Sequence, residues 1–386
     1  MRLGIIAHLK HPIAEPFAGG LEMHTHLLAR RLRSRGHEVT VFASTRSDAA
    51  LGLEAICDDT ALMGVGTSEA SDVGFFREHH AYLALMNRLR RSDFDLIHNN
   101  ALHYLPVAMA DSLPMPMVTT LHTPPFCWLE SGIRECRSDK AVFVGVSDSI
   151  RGSWADVTRI DSVILNGIDL DRFAYVSRPA DPPYLVWYGR IVPEKGLHLA
   201  IDAAAAVGLL LKVAGPVSDT AYFNSEIAPR LGSGVEYLGH LPHANLATLI
   251  GQASAFLCTP CWEEPYGLVV AEALACGVPV AAFARGAIPE ILTPDCGVLA
   301  EPGDVASLAE ATRRALTLDR RACRARAEAV CDAEVMIDAY EALYRRCVSD
   351  QAVVGLQVVP REATPNPTLF PPKRSQTHGQ DTILVA

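Results

Sequence analysis

The 386-residue sequence contains no uninterrupted apolar run long enough to cross a bilayer. It has neither a GxGxxG dinucleotide fingerprint nor a Walker A loop, so the two commonest glycine-rich phosphate cradles are missing. Basic residues are in the minority: 34 Lys and Arg stand against 44 Asp and Glu, a net charge of −10. That balance argues against a nucleic-acid partner, whose footprint is basic. Ten cysteines are scattered, several inside apolar stretches (Cys258, Cys276), which reads as reduced thiols in the cytoplasm rather than a disulfide framework. Cys258 and Cys261 form one CxxC without a second pair or neighbouring histidines, so two packed thiols are a simpler reading than a metal or redox site. The opening MRLGIIAHLK is too short and too quickly polar for a signal peptide and reads as a first buried strand.

What is present is ample apolar content, 49%, enough for two cores in a chain of this length. Short apolar strands alternate with helical stretches in both halves. Strands are expected at Leu3–Ala7, Glu38–Ala43, Leu96–His98, Met117–Leu121, Ala141–Val146 and Val163–Leu165, with helices at Leu21–Arg35, Arg77–Arg90 and Tyr104–Asp111. The pattern repeats with strands Tyr184–Tyr188, Leu210–Ala214, Val235–Tyr237, Ala255–Leu257 and Val280–Phe283, and with helices Leu197–Ala206, Ala244–Gly251 and Leu268–Cys276. Such alternation predicts an α/β protein of two doubly wound parallel sheets, facing each other across a cleft at the carboxyl ends of their strands. The expected divisions are a first domain 1–172, a linker 173–183 containing Ser177–Pro183 (SRPADPP), and a second domain 184–332. A closing helix at 333–350 and a Pro-, Thr- and Gln-rich tail at 351–386, expected to be disordered, complete the chain. The two domains are expected to open and close about the Asp171–Pro183 join.

The stretch Cys261–Phe283, CWEEPYGLVVAEALACGVPVAAF, holds two carboxylates eight positions apart, Glu264 and Glu272. Pro265 and Gly267 suit a loop entering a helix, so Glu264 is expected at the helix mouth, where unpaired N–H groups attract anions. Glu272 is expected a turn further in, on a helix with no other charge. A buried carboxylate there needs a partner, and a ligand hydroxyl would serve. Gly19 and Gly20 precede the first helix, where a backbone without Cβ atoms lets a phosphate approach the helix N-terminus. Arg190 and Lys195 flank a loop bounded by Gly189 and Gly196 and would clamp a diphosphate from two sides. His122 ends a first-domain strand, and His98, Asn99, Asn100 and His103 cluster after another. These five either line the cleft or complete structural polar loops.

In order along the chain, AGGLE (Ala18–Glu22), HTP (His122–Pro124), NGID (Asn166–Asp169), GRIVPEKG (Gly189–Gly196), Glu-x7-Glu (Glu264–Glu272) and GAIPEIL (Gly286–Leu292) resemble the motifs of retaining glycosyltransferases of family 4. The resemblance spans Met1 to about Cys347 and implies the GT-B fold, two Rossmann-like domains facing across a cleft. It further implies transfer of a sugar from a nucleoside diphosphate, UDP or GDP, to an acceptor hydroxyl, with no metal and no tightly bound cofactor. On that pattern Arg190 and Lys195 neutralise the leaving diphosphate with backbone help from Gly19 and Gly20. Glu264, with the backbone of Tyr266, Gly267 and Leu268, holds the donor sugar, and Glu272 holds the ribose. His122 lies over the sugar as a catalytic group, while His98, Asn99, Asn100 and His103, on their own position, either line an acceptor pocket or complete a polar loop.

Departures from that pattern are few. Arg285 replaces a glycine before Gly286 and either adds a phosphate contact or faces solvent. Two DxD triplets, Asp93–Asp95 and Asp169–Asp171, precede a strand and sit at the interdomain join respectively, and are read as coincidental. Arginines crowd the ends of two helices (Arg30, Arg31, Arg33, Arg35; Arg88, Arg90, Arg91). They meet helix dipoles or else dock the protein peripherally on the anionic inner face of a membrane. The competing functions are a non-catalytic sugar-nucleotide or glycan-binding protein, for which the full set of charged residues is superfluous, and an epimerase of the same architecture, whose motifs differ.

Overall fold

The computed structural model describes residues 1–57, 73–232 and 234–354. Among them the first sheet has seven parallel strands, β1 (Arg2–Ile6), β2 (Glu38–Ser44), β3 (Leu53–Cys57), β4 (Leu96–Asn99), β5 (Met117–Leu121), β6 (Ala141–Gly145) and β7 (Ser162–Val163), in the order β3-β2-β1-β4-β5-β6-β7. The second has six parallel strands, β8 (Tyr184–Tyr188), β9 (Leu210–Ala214), β10 (Val235–Tyr237), β11 (Ala255–Cys258), β12 (Val280–Phe283) and β13 (Gly297–Ala300), in the order β10-β9-β8-β11-β12-β13. Strands β5, β8, β11 and β12 are buried at every position, as strands covered by helices on both faces must be. Each sheet reverses its winding once, between β1 and β4 and between β8 and β11. The loops leaving those four strands diverge and leave a crevice, the usual ligand position in such sheets.

Several elements escaped the sequence pattern. The helices Val305–Ala315 and Arg320–Val330 bury small side chains such as Ala309, Cys323 and Ala327, so their apolar stripe is weak against many arginines. Strand β13 and the helices Cys127–Glu135 and Asp148–Ser153 are short enough to be overlooked. The helix expected over Tyr104–Asp111 ends at Ala108 and resumes as a 3-10 turn at Ala110–Ser112.

The closing helix, Ala333–Val354, runs past the expected end at 350, and the expected tail lies outside the described residues from 355 onward. It returns to the first domain: Met336, Ile337, Tyr340, Leu343 and Tyr344 share a core with Leu3, Ile5, Val39 and Val118. Two crossings therefore join the domains, and they touch. Ile168 N–H donates to Cys331 O at 2.8 Å and Ala333 N–H to Ile168 O at 3.0 Å, while a Cβ on Gly167 would lie 2.5 Å from Ala333 Cα.

The Pro-rich join, about which the domains are expected to open and close, is bonded to the second domain. Val176 N–H donates to Cys276 O at 3.1 Å and Ala180 N–H to Gln252 O at 2.8 Å. Arg320 reaches Val176 O at 2.7 Å, and Arg324 reaches Phe173 O at 2.9 Å. Those bonds hold 173–180 against the second domain.

Truncating Ile337 to Ala should cost about 2–4 kcal/mol of unfolding free energy, because its fully buried side chain anchors the returning helix. Urea denaturation measures this, and a loss below about 1 kcal/mol would show that the helix adds little to the first-domain core.

Candidate functional site

The second-domain half of the crevice is built by two loops that only glycine lets meet. Gly196 has φ +64°, and a Cβ there would fall 2.1 Å from Thr259 O. Thr259 Oγ1 donates to Lys195 O at 2.9 Å, and Cys261 N–H donates to Glu194 O at 2.7 Å, so the loop after β8 is stitched to the loop after β11. This brings Lys195 Nζ to 2.6 Å from Glu264 Oε2. The indole N–H of Trp262 donates to the same oxygen at 3.0 Å, and the Lys195 ammonium stands 5.3 Å from the Trp262 ring centre. Arg190, half-buried at the head of the same loop, has no ion-pair partner within 4.0 Å among the described residues.

Glu264 is held as tightly by its backbone. Gly286 has φ +56°, a Cβ there would meet Glu264 O at 2.2 Å, and Ala287 N–H donates to that carbonyl at 2.9 Å. Arg285 donates to Cys261 O at 2.9 Å and braces this loop. Gly267, at φ +101°, starts the helix Leu268–Ala275. The Tyr266 ring is buried in the core. Glu272 lies on that helix beside Tyr188, whose hydroxyl donates to Val269 O at 2.6 Å. Burial pushes the Glu272 carboxyl up to about 7; the Tyr188 hydroxyl and the Arg172 charge offset only part of that.

The first-domain half approaches closely. A Cβ on Gly20 would lie 2.6 Å from Leu268 Cδ1, so the glycine pair expected to admit a phosphate also lets the first helix, Gly20–Ser34, rest against the start of the Glu272 helix. His122 is half-buried, and its Nε2 stands 3.0 Å from Asn100 Oδ1. Burial holds this imidazole neutral, with His24, His98 and His8 reinforcing the effect. Because Asn100 Oδ1 can only accept, Nε2 carries the proton and Nδ1 is left as an acceptor. Asn100 Nδ2 in turn donates to Thr25 Oγ1 at 3.3 Å.

Glu22, quoted in the AGGLE motif without a role, is fully buried in the first turn of that helix, and neither carboxylate oxygen has a hydrogen-bond partner among the described residues. Burial pushes its pKa up, and the backbone N–H groups at the helix start and the Arg190 charge offset only part of that. His8 Nδ1 is 3.8 Å away but is itself pushed down to about 4 by burial, so it stays neutral and forms no ion pair at pH 7.

The four residues expected in an acceptor pocket separate. His98 is 1% exposed and its ring nitrogens bond Tyr344 Oη and Thr120 Oγ1, which ties β4 to the closing helix rather than to the cleft. Asn99 is enclosed, donating to Thr119 Oγ1 at 3.3 Å and accepting from Ala101 N–H at 3.1 Å. Asn100 orients His122 instead of meeting solvent. His103 caps the helix Tyr104–Ala108 by accepting from Leu105 N–H, and its ring stacks on Tyr104 at 4.7 Å. The closing helix is what removes His98 from the cleft, and no local pattern near residue 98 announces it.

Three residues given no role by the sequence were missed. Trp262 holds Glu264, and Ser147 and Glu290 clasp the domains. Ser147 Oγ donates to Pro265 O at 2.7 Å, and the Glu290 carboxylate accepts from Asp148 N–H and Ser149 N–H, each at 2.7 Å. Glu290 lies within the GAIPEIL motif and Ser147 outside any motif, and only their contacts disclose the link. Of the DxD triplets, Asp93 and Asp95 bond Arg2 at the amino end of β1, and Asp169 pairs with Arg30 and Arg31. Burial pushes the Cys258 thiol up to about 12, and no group of His, Cys, Asp or Glu among the described residues is arranged to hold a metal ion. Among those residues no helix is long and apolar enough to cross a membrane.

The description "Glycosyltransferase Family 4" matches residues 18–172, and "Glycosyl transferases group 1" matches residues 171–330. A glycogen synthase of Mycobacterium tuberculosis is 28% identical over 355 residues, covering 81% of this chain and 85% of its own length. A D-inositol 3-phosphate glycosyltransferase of Mycobacterium avium is 29% identical over 339 residues, covering 75% and 78%. Anabaena HepE, solved in complex with UDP and glucose, superposes with a TM-score of 0.68 at 18% identity, covering 90% of this chain and all of that one. This last likeness concerns the fold.

The elevated Glu272 carboxyl makes a testable demand on stability. Its ordinary value is 4.5, so between pH 4.5 and about 7 the folded protein holds a proton that the unfolded chain has released. Stability therefore falls as pH rises through that window and the penalty is complete above it. Glu272→Gln should be more stable than the parent at pH 8, with the difference vanishing near pH 4.5. Thermal melts across that range measure it, and a pH-independent difference would contradict the assignment.

Proposed function

Because the chain belongs to the GT-B glycosyltransferases of family 4 and group 1, we propose that it transfers a sugar with retention from a nucleoside diphosphate to an acceptor hydroxyl. One observation carries this reading: Arg190, Lys195, Glu264 and Glu272 stand on adjoining loops and a helix mouth, at the carboxyl ends of β8 and β11, facing the glycine loop of the other domain. In this reading the second domain, 184–332, takes the donor and the first, 1–172, presents the acceptor.

Breaking the bond between sugar and diphosphate loads negative charge on the leaving oxygen. Arg190 has no competing carboxylate within ion-pair distance among the described residues and meets that charge at once; Lys195 joins it from the far side of the loop. Gly19 and Gly20 leave the backbone open to the phosphates. Glu264, fixed through its carbonyl by Ala287, binds sugar hydroxyls and orients the ring. Neutral His122 offers Nδ1 to a donor-sugar hydroxyl while Asn100 holds its Nε2–H. Glu272 accepts from the ribose hydroxyls, which supply the hydrogen bonds that favour its ionised form. No carboxylate in the set is placed as an evident nucleophile. The departing phosphate accepts the proton of the acceptor hydroxyl as the new bond forms on the same face.

The peripheral membrane contact considered from the arginine clusters receives little support. Arg31 and Arg35 bond Glu334, Arg35 also reaches Asp338, and Arg30 and Arg31 share Asp169, so this cluster is neutralised within the molecule.

HepE is described with UDP and glucose; at its low identity to this chain, GDP donors stay in the test. A thermal-shift panel of UDP-, GDP- and ADP-sugars should single out one nucleotide, stabilising by about 2.7 kcal/mol at a hundredfold excess over Kd. With that donor, Arg190→Ala and Glu264→Gln should each lower kcat by roughly a hundredfold or more, with unchanged circular dichroism. Near-normal turnover in either variant would show that the donor site lies elsewhere.

A further inference from the structure

The donor site as read above assigns Lys195 to the diphosphate and Glu264 to the sugar, yet these two groups bond each other. Lys195 Nζ lies 2.6 Å from Glu264 Oε2, with the side chains 26% and 13% exposed. Trp262 strengthens the pairing from both sides, donating its indole N–H to the same carboxylate oxygen at 3.0 Å and standing 5.3 Å from the ammonium. Arg190, on the same loop, has no such partner among the described residues. The two cations that serve one diphosphate are thus unequal: one is open and the other is guarded.

Resting on that reading, we propose that the Lys195–Glu264 pair discriminates the intact sugar nucleotide from the bare nucleoside diphosphate. A diphosphate that draws Lys195 away leaves Glu264 largely enclosed, with only the Trp262 N–H as donor. An ionised, mostly buried carboxylate that loses its cation is costly. The intact donor repairs the loss, because its sugar hydroxyls donate to Glu264 while its phosphates take Lys195. The bare product has no hydroxyl at that position and cannot. Glu264 therefore competes with the product for Lys195 and cooperates with the donor. After transfer, the pair re-forms and helps expel the nucleotide. Product release is a frequent rate limit in enzymes that close over their substrates, so the device acts where turnover is vulnerable.

The discriminating experiment is titration calorimetry of UDP, GDP and ADP, and of the sugar nucleotide that the thermal panel selects, against the parent and variants of the full chain. Glu264→Gln should bind the bare diphosphate about tenfold more tightly than the parent, because Lys195 no longer has an anionic competitor. The same variant should bind the sugar nucleotide no better than the parent, so the parent's preference for donor over product collapses. Glu264→Ala should move product binding in the same direction and covers the case in which the glutamine variant folds poorly. In a Lys195→Met background the gain should disappear, a result that a merely structural Glu264 would not produce. Product affinity unchanged or weakened in both Glu264 variants overturns the proposal while leaving the donor site intact. A gain that persists without Lys195 also overturns it. A parent protein that binds none of the three diphosphates overturns the proposal together with the donor-site reading.

Discussion

The arrangement of the molecule depends on a contact between two stretches of backbone. At Gly167 the chain leaves the first domain, and at Ala333 it returns, and the two passages lie so close that position 167 has no room for a side chain. Paired hydrogen bonds between Ile168 and Cys331–Ala333 join them. This pairing fixes where the closing helix begins and lets that helix pack under the first sheet. The same contact fixes how the two switch points face each other, and so which loops share the cleft. A further apolar cluster runs without a break from Val107 and Leu121 through Ile150 and Trp154 to Tyr266, Val270 and Ile288. The two halves meet through a continuous core as well as through polar clasps at Ser147 and Glu290.

Within that frame the site carries unfavourable electrostatics. Among the described residues Glu22 is buried without a hydrogen-bond partner and Arg190 has no carboxylate within ion-pair distance, while Glu272 is held toward its protonated form. Each group would be easier to accommodate if exchanged for an apolar side chain or paired. Their cost, spread over a large apolar core, is tolerable, and a ligand offering phosphates and hydroxyls relieves much of it. The Lys195–Glu264 pair is the counter-example, two opposite charges that have already satisfied each other.

Charge elsewhere is used to fasten elements together. The arginines at the end of the first helix form an ion-pair strip with Glu334, Asp338 and Glu341 of the closing helix, adding His37 against Glu341. Individually such partly exposed pairs are worth little. As a network along two packed helices they reinforce the apolar contacts of Tyr340 and Ile337 beneath them. A cluster of like charges in the sequence thus becomes a neutral seam once its partners, some three hundred positions away, are brought alongside.

Most of the architecture was legible in advance because parallel strands buried on both faces leave an unmistakable apolar run, and β5, β8, β11 and β12 all carry one. The Glu-x7-Glu segment was legible for a similar reason, since lone carboxylates in an apolar helix stand out. The small-residue helices Val305–Ala315 and Arg320–Val330 were not, because alanine and cysteine mark a buried face faintly. The polar residues after β4 misled, since a histidine at a strand end looks alike whether it faces a cleft or a returning helix. The sequence by itself determined the two-sheet class, the helix that carries Glu272 and the chemistry of the charged groups, all properties of neighbours a few residues apart. Only the tertiary structure decided that Lys195 meets Glu264, that Asn100 holds His122 and that His98 belongs to the closing helix. Those pairings join residues from 22 to 246 positions apart, and contacts over such separations are set by packing rather than by local pattern.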